Sequence, residues 1–141
     1  MTRPQTTPIG LQLTKTARTV SQAFERAMAD AGGSAAAWQV LVLVRSGQWD
    51  TQSGLAKAMG VTGATMTHHL NALESQGLVR RWRDEANRRV QQVELTDAGI
   101  ELFDRLRQVA TRHDARLRAA LGERDAAQLA KLLHKLEDAA V

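Results

Sequence analysis

The 141 residues suffice for one compact domain with a buried core that needs neither disulfides nor metal. The sequence has no cysteine, which excludes disulfides, thiolate metal sites and thiol nucleophiles. Its formal net charge is +4, and arginine supplies 15 of its 19 basic residues. Because a GC-rich genome also encodes Ala- and Arg-rich chains, charge alone leaves nucleic-acid binding undecided.

The sequence contains no segment typical of membrane insertion or export. Its longest apolar stretch, Ala35–Val44, has ten residues including Gln39, too few to cross a bilayer. Residues 1–10 are polar, contain Pro4 and Pro8, and lack the apolar core of a signal peptide. We therefore expect a cytoplasmic protein without a membrane partner.

The first third of the chain predicts two helices. In residues 9–31 apolar side chains recur at three- and four-residue spacing, which is the pattern of one helical stripe. Gly32-Gly33 ends that helix, and Ser34 can cap a second one over residues 35–45. This second segment is apolar nearly all round, so we expect a buried central helix; its β-branched residues leave a strand as the alternative.

Residues 51–77 have the start and stop signals of a helix-turn-helix. Thr51 can cap a short helix, Gly60 can form a tight turn, and Thr62 can cap a longer helix that Gly77 closes. Two helices joined by a short glycine-containing turn form this motif. The second helix of such a motif fits the major groove of DNA.

A basic hairpin is predicted directly after this motif, in residues 78–95. Two β-like runs, 78–83 and 89–95, flank a polar, turn-rich tip. Within residues 78–89 five arginines stand against Asp84 and Glu85, so these twelve residues carry most of the net charge of the chain. They are Arg80, Arg81, Arg83, Arg88 and Arg89. A helix-turn-helix followed by a basic hairpin is a winged helix, whose wing can reach the DNA backbone or the minor groove.

Two expectations concern single residues of the wing. Trp82 alternates with the arginines, and we expect it to pack the hairpin on the core. One of Arg88 and Arg89 is expected to pair with Asp84 across the hairpin and stiffen it. Fewer than five arginines would then be free for DNA.

Two more helices complete the chain. Thr96 can cap a long helix with Asp97 at its positive end, and the apolar stripe of that helix runs to Leu121. Gly122 interrupts the pattern, and Glu123 begins the last helix. The fold class is thus mainly α with a small β-hairpin wing. We expect a single domain, residues 1–141, in which a winged helix-turn-helix lobe (34–95) lies between helices of residues 9–31 and 96–141.

The exposed face predicted for the second helix of the motif consists of small and hydrogen-bonding residues. An ordinary solvated helix face usually alternates Lys and Glu, whereas this one has no acidic residue before Glu74. DNA contact is therefore favoured over plain solvation. The face comprises Gly63, Ala64, Thr65, Thr67, His68 and Asn71.

Several motifs resemble those of the multiple-antibiotic-resistance regulator (MarR) family. The first part is Leu55-Ala56-Lys57-Ala58-Met59-Gly60-Val61-Thr62, Thr65-Met66-Thr67, Leu73-Glu74 and Gly77-Leu78-Val79-Arg80-Arg81. The second part is Asp84, Asn87-Arg88-Arg89, Val93 and Leu95-Thr96-Asp97-Ala98-Gly99. Each motif alone is weak, but their order and spacing over nearly the whole chain make the resemblance specific.

The resemblance implies a transcriptional regulator that binds a pseudo-palindromic operator in double-stranded DNA as a homodimer. We expect a repressor, with activation as the open alternative. Helices 9–31 and 96–141 would form the dimer region. The family commonly has arginine where His68 stands and an acidic residue where Asn87 stands, so base preference and wing orientation are expected to differ here. The predicted DNA-contacting residues are Thr62, Gly63, Ala64, Thr65, Thr67, His68, Arg83, Asn87, Arg88 and Arg89.

The resemblance also admits a small aromatic or phenolic anion as effector. The candidate pocket residues are Lys15, Arg18, Trp38 and Val42, and plain core packing is the favoured alternative for Trp38. His113 lies on an apolar stripe and is expected to be a satisfied core or interface histidine. We expect no metal, no cofactor and no enzymatic activity, because the sequence shows no catalytic or metal-ligand constellation. The alternative function is a helical-dimer protein-interaction module whose helix-turn-helix does not bind DNA.

Overall fold

The computed structural model describes residues 6–141, which form six helices and a two-stranded antiparallel sheet. The elements are α1 Ile9–Asp30, α2 Ala35–Ser46, α3 Gln52–Met59, α4 Gly63–Ser75, β1 Val79–Arg83, β2 Gln91–Leu95, α5 Asp97–Leu121 and α6 Glu123–Ala140. The predicted mainly α fold with a hairpin wing is confirmed. The strand alternative for residues 35–45 is wrong, since this segment is helical throughout.

Four predicted helix caps are confirmed. The side-chain oxygen of each capping residue accepts a hydrogen bond from the backbone N–H three residues further on, over 3.0–3.1 Å. These bonds satisfy N–H groups that have no partner within their helix. The capping residues are Ser34 for α2, Thr51 for α3, Thr62 for α4 and Thr96 for α5.

The central position of α2 follows from its composition. Val40, Leu41 and Val44 are buried, and the helix contacts α1, α3, α4, α5 and β2. Burial of such side chains contributes roughly 1.5–3 kcal/mol each relative to exposure. The rest of the chain contributes to the same core. These core residues are Met28, Leu55, Ala56, Met66, Leu70, Leu73, Leu78, Val79, Val93, Leu102, Leu106 and Val109.

The turn between α3 and α4 is short because Gly60 ends α3 in the left-handed region, at φ +72°. A residue with a side chain adopts that conformation at a cost, and glycine does not. The N–H of Val61 then returns to the carbonyl of Ala56 over 3.0 Å. Thr62 follows at once as the cap of α4, so the predicted helix-turn-helix occupies residues 51–77.

The hairpin pairs Val79 with Leu95 and Arg83 with Gln91. Its second strand begins at Gln91 rather than at residue 89, because the N–H of Val90 is used inside the turn, on the carbonyl of Asn87. A third segment joins the sheet, which the sequence did not indicate: Thr51 bridges to Gln92, just before α3 begins. The wing is therefore tied to the start of the helix-turn-helix as well as to its end.

The sheet is also joined closely to the start of α5. The Thr96 hydroxyl donates to the carbonyl of Gly77 over 2.6 Å, and the Thr96 N–H donates to the carbonyl of Leu78 over 3.1 Å. Gly99 is buried against that same Leu78 carbonyl, and a Cβ at this position would overlap the carbonyl oxygen. Only glycine fits there without a shift of the backbone.

The ends of the chain look different from this packed lobe. The helix α6 is described from Glu123 to Ala140 and buries none of these residues. Leucines on it remain 40–46% exposed, and the first turns of α1 carry similarly exposed apolar side chains. They are Leu129, Leu132 and Leu133 on α6, and Ile9, Leu11 and Leu13 on α1. Within residues 6–141 no single helix is long and apolar enough to cross a membrane; α1 and α2 together pass by length and composition, bent by 76°.

Candidate nucleic-acid interface

The first two turns of α4 present a small, uncharged surface. Thr62, Gly63, Ala64, Thr65 and His68 are all exposed, as predicted for the recognition face. The Thr62 hydroxyl donates to the Thr65 oxygen over 3.0 Å and accepts from the Thr65 N–H. The Thr65 hydroxyl thus keeps its own proton for an outside acceptor, such as a phosphate or a base edge.

Thr67 differs from its neighbours, because it is half-buried and already hydrogen-bonded. Its hydroxyl donates to the Gly63 carbonyl over 2.9 Å and accepts from the Gln52 amide over 2.6 Å. One donor and one acceptor site of the hydroxyl are therefore used inside the protein. Thr67 holds α4 to α3, whereas the predicted set gave it a place among the DNA contacts.

Arg81 is the centre of a polar cluster that the sequence did not indicate. Its side chain is 11% exposed and forms an ion pair with Glu74 of α4. It also donates to the side-chain oxygens of Asn71 and Gln52. The hydrogen bond from Arg81 lowers the pKa of Glu74 below its ordinary value.

The expected role of Trp82 is wrong. The strand alternates, so Val79 and Arg81 turn toward the protein while Trp82 turns outward and is 43% exposed. The outer face of the strand also holds Arg80, whose guanidinium carbon lies 5.9 Å from the centroid of the Trp82 ring. Counting alternation from the buried Val79 would have placed Arg81 inside and Trp82 outside.

The tip of the wing is stiffened by hydrogen bonds to Asp84 from a backbone N–H and from Gln92. The predicted ion pair of Asp84 with Arg88 or Arg89 is not formed. Asp84 accepts from the N–H of Ala86 over 2.8 Å and from the side-chain amide of Gln92 over 3.1 Å. These bonds, that from Ala86 foremost, lower the pKa of Asp84. Aspartate closes its own turn this way because its short side chain reaches N–H groups two or three residues ahead.

The other predicted wing residues have two kinds of role. Asn87 accepts from the N–H of Arg89 over 3.2 Å, and Arg83 donates to the carbonyl of Arg88 over 2.9 Å, so both shape the turn. Asn87 is not bonded to an arginine side chain. Arg88 and Arg89 are exposed, and neither forms an ion pair with any residue between 6 and 141.

The five arginines are therefore not equivalent. Arg80 is paired with Glu94, and Arg81 with Glu74, so acids outside the arginine-rich segment neutralise two of the five. The free positive charge of the wing is concentrated at its tip. The number of arginines in the sequence therefore overestimates the unpaired positive charge of the wing, and it does not show where that charge lies.

A cleft of about 590 Å³ separates the wing from the start of α4. Lys57 of α3 and Arg89 of the wing lie on its rim, and Gly63 and Thr67 belong to its α4 side. Arg89 of the wing and Gly63 and Thr67 of α4 thus border one cleft. The positive charges of Lys57 and Arg89 there suit a phosphate backbone.

The predicted effector pocket is only partly assembled in one chain. Trp38 and Val42 share a cavity of about 270 Å³ with Leu43 and Met59. Lys15 and Arg18 do not line it; they lie on exposed turns of α1. Trp38 also stacks on Phe103 of α5, with ring centroids 5.5 Å apart, so its packing role is present as well.

Within one chain, His113 lacks a hydrogen bond that a satisfied core histidine would form. Its ring lies 5.1 Å from that of Phe24, and its Nε2 atom is buried without a hydrogen-bond partner among the described residues. In residues 6–141 no three His, Asp or Glu side chains are grouped so that they could hold a metal ion.

Comparisons with known proteins agree with this geometry. Residues 34–90 match the sequence model of the MarR family. A curated relative, the uncharacterized HTH-type transcriptional regulator YdgJ of Bacillus subtilis (strain 168), is 36% identical over 66 residues. That alignment covers 47% of this chain and 40% of the relative, so it spans less than half the length of either protein.

Two solved structures extend the likeness to nearly the whole chain. The transcriptional repressor CouR bound to a 23-mer DNA duplex has a TM-score of 0.85 and 28% identity, over 92% of both chains. The MepR–DNA complex of S. aureus has a TM-score of 0.87 and 21% identity, over 95% of this chain and 99% of that one. The second likeness concerns the fold alone. The predicted resemblance to the MarR family is therefore confirmed over residues 34–90, and the fold is shared with these solved structures over nearly the whole chain.

Proposed function

We propose that this protein is a sequence-specific DNA-binding transcriptional regulator, not an enzyme, and that it binds a pseudo-palindromic operator as a homodimer. One observation carries the proposal. The start of the acid-free α4 face, at Gly63, and the unpaired Arg89 of the wing tip border the same cleft. A helix of this kind fits the major groove, and arginines beside it fit the phosphates or the minor groove.

The contacts can be divided by the partners that each side chain already has. Thr62, Gly63, Ala64, Thr65 and His68 are exposed and are proposed to face base edges and phosphates. Arg88 and Arg89 are proposed to contact the backbone or the minor groove. Thr67, Arg83 and Asn87 bond within the protein and are proposed to hold these groups in place.

The apolar ends of the chain support the homodimer. The leucines of α6 and the first apolar residues of α1 are exposed in one chain, and a second copy would cover them. Leu129, Leu132 and Leu133 have the spacing of one helical stripe, and an exposed apolar patch marks a protein–protein interface in soluble proteins. We propose these helices, 9–31 and 96–141, as the dimer region.

Repression and effector control are the finer parts of the proposal. The solved relative CouR is named a transcriptional repressor, which supports repression here. The cavity beside Trp38 and Val42 supports a small aromatic effector, since it is mostly apolar and open to one side. Lys15 and Arg18 would have to reach such a ligand from a partner's α1. The alternative of a protein-interaction module that does not bind DNA requires acidic or bulky apolar residues on the α4 face, and residues 62–68 expose none.

The test is selection of bound duplexes from a random pool with the full-length protein. The proposal expects a two-fold symmetric consensus whose half-sites lie about one helical turn, roughly 34 Å, apart. If the dimer neutralises about eight phosphates, log K against log salt should fall with a slope near −7. No enriched sequence together with a flat salt response would contradict it.

The wing is tested by Arg88→Ala, which should weaken operator binding by about 1–3 kcal/mol. The matched control is Arg124→Ala, which removes the same charge from the first turn of α6. Equal affinities for the two variants would remove Arg88 from the interface.

A further inference from the structure

The polar cluster formed by Gln52, Thr67, Asn71, Glu74 and Arg81 joins three elements of the lobe. Arg81 stands on β1 of the wing, and Gln52 is the first residue of α3. The other three lie on α4, the helix proposed to enter the major groove. Through this cluster the wing, the first helix of the motif and the recognition helix share one set of hydrogen bonds.

The guanidinium of Arg81 uses its donors in different directions. Its Nε and Nη2 donate to the two carboxylate oxygens of Glu74, over 3.4 Å and 3.1 Å. Its Nη2 also donates to Asn71, and its Nη1 donates to Gln52 over 3.4 Å. A planar fork can bridge these three acceptors at once, whereas the single ammonium of a lysine cannot.

The cluster also fixes how Asn71 faces outward. Its Oδ1 accepts from Arg81, and this bond turns its NH₂ group away from Arg81. Asn71 is exposed and lies seven residues after Ala64 and three after His68 on α4, which places the three on one helix face. The face therefore ends in a side chain whose NH₂ group offers hydrogen-bond donors.

We propose that Arg81 is a positioning residue. It sets the angle between wing and recognition helix, it turns the Asn71 amide so that its NH₂ faces the operator, and it does not touch DNA itself. The inference rests on the proposed function. Its physical basis is that Arg81 is mostly buried and its charge is paired with Glu74, which leaves little for a phosphate.

The experiment compares Arg81→Lys with Arg88→Lys on the selected operator. Because lysine keeps the charge and loses the fork, Arg81→Lys should weaken operator binding about tenfold or more, and Arg88→Lys by less than about threefold. Arg81→Gln should leave the slope of log K against log salt unchanged, while Arg88→Gln should reduce it by about two for the dimer. A slope reduced equally by both glutamine variants would make Arg81 a direct phosphate contact and overturn the inference.

Asn71→Ala supplies a second variant at an exposed position, where folding is not at risk. Since Arg81 acts through Asn71, the losses of Arg81→Lys and Asn71→Ala should not add in the double variant. Fully additive losses would mean that the two side chains act independently, and the inference would fail.

A measurement on the free protein separates this inference from the proposed function. Hydrogen exchange of the β1 and β2 amides should be faster in Arg81→Lys than in the wild type, and unchanged in Arg80→Lys on the outer face of the same strand. Wild-type exchange in Arg81→Lys overturns the positioning role whether or not DNA is bound. Failure of the wild type to select an operator contradicts the proposed function alone.

Discussion

The winged-helix lobe and the helical ends of the chain satisfy their side chains in different ways. In the lobe, apolar residues are buried within one chain and polar residues are bonded to one another, as around Arg81 and Asp84. At the ends, α6 buries nothing and its leucines are exposed. The apolar side chains of the lobe are thus buried within one chain, whereas those of the ends are left exposed. In the proposed homodimer, the lobe would keep the proposed DNA-contacting residues in a fixed arrangement while a second copy sets the distance between the two lobes.

The largest expected effect is at the joint between the two regions. Gly99→Ala should destabilise the protein by about 3 kcal/mol, because the new methyl overlaps the Leu78 carbonyl and the backbone must shift. The matched control is Gly10→Ala in α1, where nothing lies within 4 Å and the change should be neutral or slightly stabilising. Thermal unfolding measures both. Equal stabilities of the two variants would show that the joint is not tight.

The next effect concerns the exposed ends. Leu132→Glu should convert the proposed dimer to monomers and weaken operator binding by about a hundredfold or more, because two linked half-site contacts become one. Lys131→Glu, on the opposite face of α6, is the control and should leave the dimer intact. Sedimentation and operator titration report both properties. A dimeric Leu132→Glu protein would place the interface elsewhere.

Two of the three tryptophans test which aromatic contacts stabilise the lobe. Trp38→Ala should cost about 2 kcal/mol, since the ring stacks on Phe103 of α5. Trp82→Ala should cost less than about 1 kcal/mol, because its ring is 43% exposed and contacts Arg80 from outside. Chemical denaturation of both variants decides the order. A larger loss of stability in Trp82→Ala than in Trp38→Ala would mean that the aromatic contact on the wing stabilises the protein more than the contact with α5.

The smallest effect is on the dependence of stability on pH. Glu74 has a lowered pKa in the folded protein, so its contribution is present above its ordinary value of 4.5 and is lost as the pH falls through the lowered value. Glu74→Gln should therefore be less stable than the wild type at pH 7, by less than about 1 kcal/mol because the Glu74 carboxylate is itself exposed and screened by solvent. The difference should vanish in acid. Thermal midpoints across this pH range give the result, and a constant difference would separate Glu74 from the pH response.

The sequence predicted best those features that depend on neighbouring residues. All four helix caps were foreseeable, because each bond spans three residues and needs only Ser or Thr at a helix start. The recognition face of α4 followed from helical periodicity in the same way, although it could not show that Thr67 is bonded to Gln52. The resemblance to the MarR family supplied the order of elements, and the family model matches residues 34–90.

What the sequence missed depends on residues far apart or on competition for one group. Arg81 and Gln52 are 29 positions apart, so no local pattern relates them. Asp84 had two possible partners, the wing arginines and the turn's own N–H groups, and the turn took it because those groups are held close by the chain. The inward side of β1 was misassigned because alternation was counted from the arginines instead of from Val79. The predicted pocket combined Lys15 and Arg18 with Trp38 and Val42, which one chain does not bring together.

The close contact at Gly99 allows α5 to transmit motion from the ends of the chain to the wing. It runs unbroken for 25 residues from the exit of the wing toward the exposed ends, which makes it a rod of about 37 Å. If this rod rotated by about 5° about its far end, its near end and the attached wing would move by about 3 Å, roughly the rise of one base pair. Because Thr96 and Gly99 clamp the near end to the sheet, that tilt is delivered to the wing without being absorbed on the way. In the proposed dimer, a small movement of the helices would then be enough to change the spacing of the two wings, so that it no longer matches the helical repeat of the duplex.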